Sequence, residues 1–155
     1  MKHLPELDHP LFYVDECQPA DFFQMEYDYY ISQSLNQPWK KGEMALKGIK
    51  QRWEENIGKI EMFFQRKDNA GVNKVMVASI ALFMQYLFWS NEQPVNMDRL
   101  EERVSHLPVQ AINTMERLTF VMNRPTLHHS FAQLKALFVE QEKAYYKYVT
   151  IQKRS

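Results

Sequence analysis

The sequence holds one cysteine, four glycines and seven prolines in 155 residues, and each shortage excludes something. Cys17 alone can form no internal disulfide and no multi-cysteine metal site. So few glycines and prolines leave little room for long loops or disordered tracts. The opening stretch MKHLPELDHP has no apolar core resembling a secretion signal, so a cytoplasmic protein is expected. Neither Gly-x-Ser-x-Gly nor a dinucleotide fingerprint occurs, and Gly71-Val-Asn-Lys74, the nearest approach to a phosphate loop, lacks the second glycine and the hydroxyl. The formal net charge is zero, without the basic footprint of a nucleic-acid-binding domain. Strand-like alternation is nearly absent.

What is present points to helices. The composition is 45% hydrophobic and 25% charged, which suits a domain with a core of its own. Val75 to Trp89, VMVASIALFMQYLFW, has Gln85 as its one strongly polar member. A helix apolar on every side must be surrounded, and this run is shorter than the roughly 20 residues that a bilayer needs. It is therefore expected at the centre of a bundle. Leu46, Ile49, Trp53, Ile57, Ile60 and Phe64 recur every three or four residues, marking one buried face of a helix over about 43–66. Gly48 and Gly58 each weaken that helix by about 1 kcal/mol relative to alanine and are easiest to justify where another helix backbone comes close. A helix is also expected from Ala20 to about Leu35. Others should run from Met97 to about His106 behind an Asn96 cap, and from Pro108 through Val109, Ile112, Met115, Leu118 and Met122. The last carries Leu127, Phe131, Leu134, Phe138, Gln141, Tyr145 and Tyr148. The resulting expectation is an all-α, single-domain bundle of five or six helices around one central apolar helix at about 73–90. An extended arm over 1–19 precedes the helical domain of 20–155.

Candidate sites are sparse. Residues 1–32 carry seven acids against Lys2, a balance of −6, so the other 123 residues sum to +6. This acidic segment could lie on the basic surface of its own domain or on a separate basic partner. Phe22, Phe23, Tyr27, Tyr29 and Tyr30, with Tyr145, Tyr146 and Tyr148 at the far end, are candidates for a partner surface; the alternative is that the two aromatic helices pack together inside the monomer. Lys40, Lys41, Lys47, Lys50 and Arg52, interleaved with Trp39 and Trp53, form a candidate basic patch able to meet phosphate and stack bases.

For metals, Glu6 and His9 fall in the proline-bounded arm, with His3 and Asp8 nearby. Glu102 and His106 could share a helix face, and the adjacent His128 and His129 must diverge by about 100°. No metal or cofactor is expected from these, and no catalytic set is visible. Gln85 and Gln141 are the polar groups set within apolar stripes, readable as a bonded core pair or as part of an internal ligand site.

Several segments together resemble a known family. They are Met115-Glu-Arg-Leu-Thr-Phe120, Asn123-Arg-Pro125, His129-Ser-Phe131, Gln133-Leu134 and Leu137-Phe138-Val-Glu-Gln141, preceded by Phe88-Trp89 and Glu92-Gln-Pro-Val95. Over about residues 80–150 the chain resembles the YpoC family of Gram-positive bacilli. The resemblance implies an all-helical fold and no activity. The tendency of that family's genes to neighbour replication-initiation and DNA-repair functions implies a DNA-related partner by association alone. Three functions remain open: a non-catalytic interaction or scaffold protein, using a protein partner or self-association; a bundle with an internal ligand or metal site, which could be an enzyme; and a DNA-associated accessory protein acting through residues 38–67.

Overall fold

The computed structural model describes residues 3–32 and 34–154; Lys2, the one base of the acidic segment, lies outside them. The described residues contain seven α-helices and no strand: α1 Pro19–Phe22, α2 Gln24–Ser32, α3 Glu43–Gln65, α4 Asn69–Ser90, α5 Leu100–Ser105, α6 Thr114–Asn123 and α7 His128–Arg154. Single 3-10 turns at Pro5–Leu7, Pro10–Phe12 and Pro38–Lys40 each begin at a proline, whose fixed φ suits a first helical position.

The apolar run lies within α4, and the rest of the chain surrounds it. By length and composition α4 could cross a bilayer, but 72% of its most apolar stretch is buried inside the protein. It begins at Asp68, whose carboxylate accepts a hydrogen bond from the Gly71 amide at 2.9 Å, satisfying one orphan donor of the first turn. α3 lies alongside with Leu46, Ile49, Trp53 and Ile60 buried. At the hairpin the helices meet closely: a Cβ on Gly71 would stand 2.4 Å from Phe63 Cδ1. Gly71→Ala must therefore displace the Phe63 ring. We expect a loss of about 1–3 kcal/mol, larger than the gain in helix propensity, read as a lower urea midpoint. Gly48 and Gly58 behave differently, since among the described residues nothing outside their own stretch of α3 lies within 4 Å of a Cβ placed on either; close helix packing does not account for them.

α7 closes the core over α3 and α4. Phe138 stacks on Trp53 with centroids 4.5 Å apart and takes Phe83 edge-on at 5.2 Å. Arg117 on α6 holds Glu140 on α7 through both guanidinium nitrogens, at 2.9 and 2.7 Å, which pulls the Glu140 carboxyl below its usual range.

Three expected helices differ from those found. Residues 20–32 are not one helix, because Phe23 (φ −128°, ψ 52°) separates α1 from α2. α5 starts at Leu100, not Met97: Asn96 instead turns its side chain to the Asp98 amide at 3.0 Å, and Arg99 takes a left-handed conformation before the helix. α6 starts at Thr114, not Pro108. Residues 109–111 are held in irregular backbone by Asn91, which bonds both the amide and the carbonyl of Val109, and by Gln141, which bonds the Ala111 amide and the Val109 carbonyl. Ile112, expected in a buried stripe, is 78% exposed.

The arm packs into the same core. Leu7 and Phe12 are buried in it, and Phe12 meets Phe23 edge-on at 5.0 Å. Among the described residues, no acid of this N-terminal segment makes an ion pair with the remainder of the chain; Asp8 pairs with His3. The segment does lie on its own domain, held by apolar burial and hydrogen bonds rather than by opposite charge.

Candidate functional site

The unusual chemistry of the fold lies where α2 meets α4. Glu26 is completely buried, although α2 carries no apolar stripe that would announce an inward face. Its Oε1 accepts from Gln85 Nε2 at 3.0 Å, and its Oε2 accepts from Trp89 Nε1 at 2.7 Å and from the Val95 amide at 3.3 Å. All three donors are neutral, and among the described residues no ion pair involves Glu26. Burial pushes its pKa up, and the hydrogen bonds from Trp89, Gln85 and Val95 offset only part of that rise. One turn along α2, the Tyr30 hydroxyl donates to the Val95 carbonyl at 2.8 Å, and burial raises its pKa too, keeping it a protonated donor. Glu26 and Tyr30 thus bind α2 to α4 and to the irregular segment after it.

In front of this network opens a cleft of about 380 Å³. Phe22 of α1 and Met25 of α2 line it, with Met44, Ala45 and Arg52 of α3, Gln85 and Trp89 of α4, and Pro38 and Lys41 from the chain before α3. Met44 is 78% and Met25 41% exposed. None of the ion pairs among the described residues involves Lys41 or Arg52. Asp21 also lines the cleft, with its Oδ2 accepting from the Gln18 amide at 2.8 Å.

The residues singled out in the sequence separate on this framework. Of the aromatic set, Phe23 and Tyr145 are buried in the core and present no surface. Phe22 lines the cleft. Tyr27, Tyr29 and Tyr30 are half-buried, with Tyr29 edge-on to Trp39 at 5.0 Å. Tyr146 donates to Glu43 at 3.1 Å, and Tyr148 is exposed. The aromatics of α2 therefore pack towards the arm and Trp39, while Tyr145 and Tyr146 lie at the start of α3 beside Gly42 and Glu43. Of the basic set, Lys47 pairs with Glu43 at 3.2 Å and Lys50 with Glu142 at 2.5 Å, whereas Lys40, Lys41 and Arg52 are exposed and make no ion pair among the described residues. Trp39 and Trp53 are core residues, so neither is available to stack on a base.

Gln85 and Gln141 are both bonded, but not to one another: Gln85 serves Glu26, and Gln141 serves the 109–111 backbone. His106 Nδ1 lies 2.7 Å from the Glu102 carbonyl, while the Glu102 carboxylate faces Arg99 at 3.7 Å. His128 stacks on Phe64 and His129 packs edge-on to Phe120, the divergence that a helix imposes on neighbours. No cluster of three or more potential metal ligands occurs among the described residues. Glu26 was the residue that the sequence hid, although Gln85 in the apolar run signalled that some polar partner had to reach it.

Fold and cleft together define an all-α bundle organised on α3, α4 and α7. The model of the YpoC-like protein family matches residues 43–153, and the chain belongs to that family. It is similar to the Bacillus subtilis (strain 168) protein named Uncharacterized protein YpoC, with 29% identity over 112 residues, covering 72% of this chain and 68% of that one. No solved structure matches. The family match takes in the α3 and α4 sides of the cleft, while Phe22, Met25, Glu26 and Lys41 precede it.

Proposed function

We propose that this protein is a non-catalytic interaction protein of the cytoplasm, and that it captures a protein partner in the cleft between α2 and α3. The observation that carries this reading is the pair of exposed methionines, Met25 and Met44, both lining an open cleft that the buried Gln85 and Trp89 also line. Methionine is flexible and polarizable, and it recurs on surfaces that adapt to partners. An apolar pocket ringed by polar groups is where interface hot spots concentrate. The burial of most of α4 inside the protein and the exposed, unpaired Cys17 accord with a cytoplasmic setting.

Photo-crosslinking in cells tests the reading. A benzoylphenylalanine at position 44 should give one discrete protein adduct, and the same group at Val139, exposed on α7 outside the cleft, should give none. Met25→Glu, in the same cleft lining, should cut the adduct roughly tenfold. Equal labelling from both positions, or none from position 44, would remove the cleft as a partner surface.

A further inference from the structure

We infer that the occupant of the cleft is an acidic amphipathic helix of a protein partner, seated with its backbone over Gly48 and its carboxylates on Lys41 and Arg52. This rests on the reading of the cleft as a partner surface and adds the chemistry of what fills it.

Gly48 is the first observation. It lies inside the 23-residue α3, where glycine weakens a helix, and among the described residues nothing beyond its chain neighbours and its own turn of helix backbone comes within 4 Å of where its Cβ would be. Helical spacing sets it one turn from both Met44 and Arg52, two residues of α3 that line the cleft. Internal packing therefore gives no reason for the missing side chain. Its effect is to leave α3 bare between those two residues, where an incoming backbone can approach closely.

Charge is the second. Lys41 and Arg52 stand at the cleft without carboxylate partners, whereas Lys47 and Lys50 nearby on α3 are already paired. Of the acids nearby, Asp21 lines the cleft with its carboxylate on the Gln18 amide, and Asp28 accepts from the cleft-lining Gln24 at 2.9 Å. Among the described residues the acidic N-terminal segment forms no ion pair with the remainder of the chain, so it does not neutralise Lys41 or Arg52. The third observation is the floor, where Gln85 Nε2 and Trp89 Nε1 are bonded to Glu26. With these donors engaged, the Trp89 ring, Phe22, Met25 and Met44 offer an occupant apolar surface. Apolar anchors on one stripe with carboxylates beside it describe an acidic amphipathic helix laid into a groove. Duplex DNA fits less well, because it needs cations spread along a phosphate track.

Fluorescence anisotropy on the full chain decides the matter. The probes are a labelled peptide of about 16 residues with leucines on one helical face flanked by glutamates, its lysine-for-glutamate counterpart, and a short labelled DNA duplex. The glutamate peptide should bind. Lys41→Glu with Arg52→Glu should weaken it at least about tenfold while strengthening the lysine peptide. Gly48→Ala should raise the thermal midpoint yet weaken the peptide, a combination that misfolding cannot produce. Equal binding of both peptides, indifference to the charge reversal, or preference for the duplex with steep salt dependence would overturn the inference. Crosslinking at position 44 in cells without any preference for the acidic peptide would sink this chemistry and leave the interaction reading intact; loss of both would end the two together.

Discussion

Glu26→Ala is expected to destabilise the protein by about 3–5 kcal/mol, a large fraction of the 5–15 kcal/mol typical of a whole domain. The substitution strands three buried donors at once: Gln85 Nε2, Trp89 Nε1 and the Val95 amide. Each costs roughly 1–3 kcal/mol when left without an acceptor, and the emptied space adds a cavity term. Glu26→Gln should behave in the opposite way. Its carbonyl still accepts from Trp89 and Val95, and an amide flip at Gln85 turns that carbonyl towards the new NH2 group while the Gln85 NH2 turns to the cleft, so neither Trp89 nor Val95 is stranded.

The pH dependence separates the two forms further. Because burial raises the Glu26 pKa in the folded state, the native protein holds this proton more tightly than the unfolded chain does. Stability from this group is then fully present below the ordinary carboxylate range and is lost as pH rises through the raised folded value. Above that value the loss is complete and the contribution is flat. Urea unfolding of the natural protein and of Glu26→Gln across this window should show a falling difference, with the glutamine protein gaining relative stability as pH rises. Parallel curves would mean that Glu26 is not held at a raised pKa.

The second large effect is expected at Phe138. Phe138→Ala removes the ring that stacks on Trp53 and meets Phe83 and Tyr86 edge-on, at a position only 4% exposed. A buried Phe→Ala change costs about 3–5 kcal/mol through lost transfer energy and the cavity left behind. The ring joins α7 to both α3 and α4, so the loss should appear as one cooperative transition at lower denaturant rather than as local fraying. Phe138→Leu should recover more than half of it, since most of the volume is restored. A loss below about 1 kcal/mol for Phe138→Ala would show that α7 does not close the core in this way.

Local pattern sufficed for the main helices. The six-residue stripe of α3, the unbroken apolar run of α4 and the alternating stripe of α7 each identify a buried face without reference to the others, because helical periodicity is a property of neighbours in sequence. Their packing around one central helix follows, since a helix apolar on all sides has nowhere else to go. The polar exceptions Gln85 and Gln141 were legible as inward-facing for the same reason.

What each of them bonds was decided only by the tertiary structure. Glu26 sits among tyrosines and aspartates on a helix with little amphipathicity, and nothing within a few residues marks it as buried. Its three donors lie 59 to 69 positions away. The start of α6 was misjudged for a like reason: Pro108 is a sound local start signal, but Asn91 and Gln141 hold residues 109–111 out of a helix from 18 to 32 positions away. The cleft itself joins residues of α1, α2, α3 and α4, which no sequence window contains. Periodicity reports what a segment buries; which distant groups meet there depends on how whole helices pack, and that is settled by the summed shape and hydrogen bonding of the folded core.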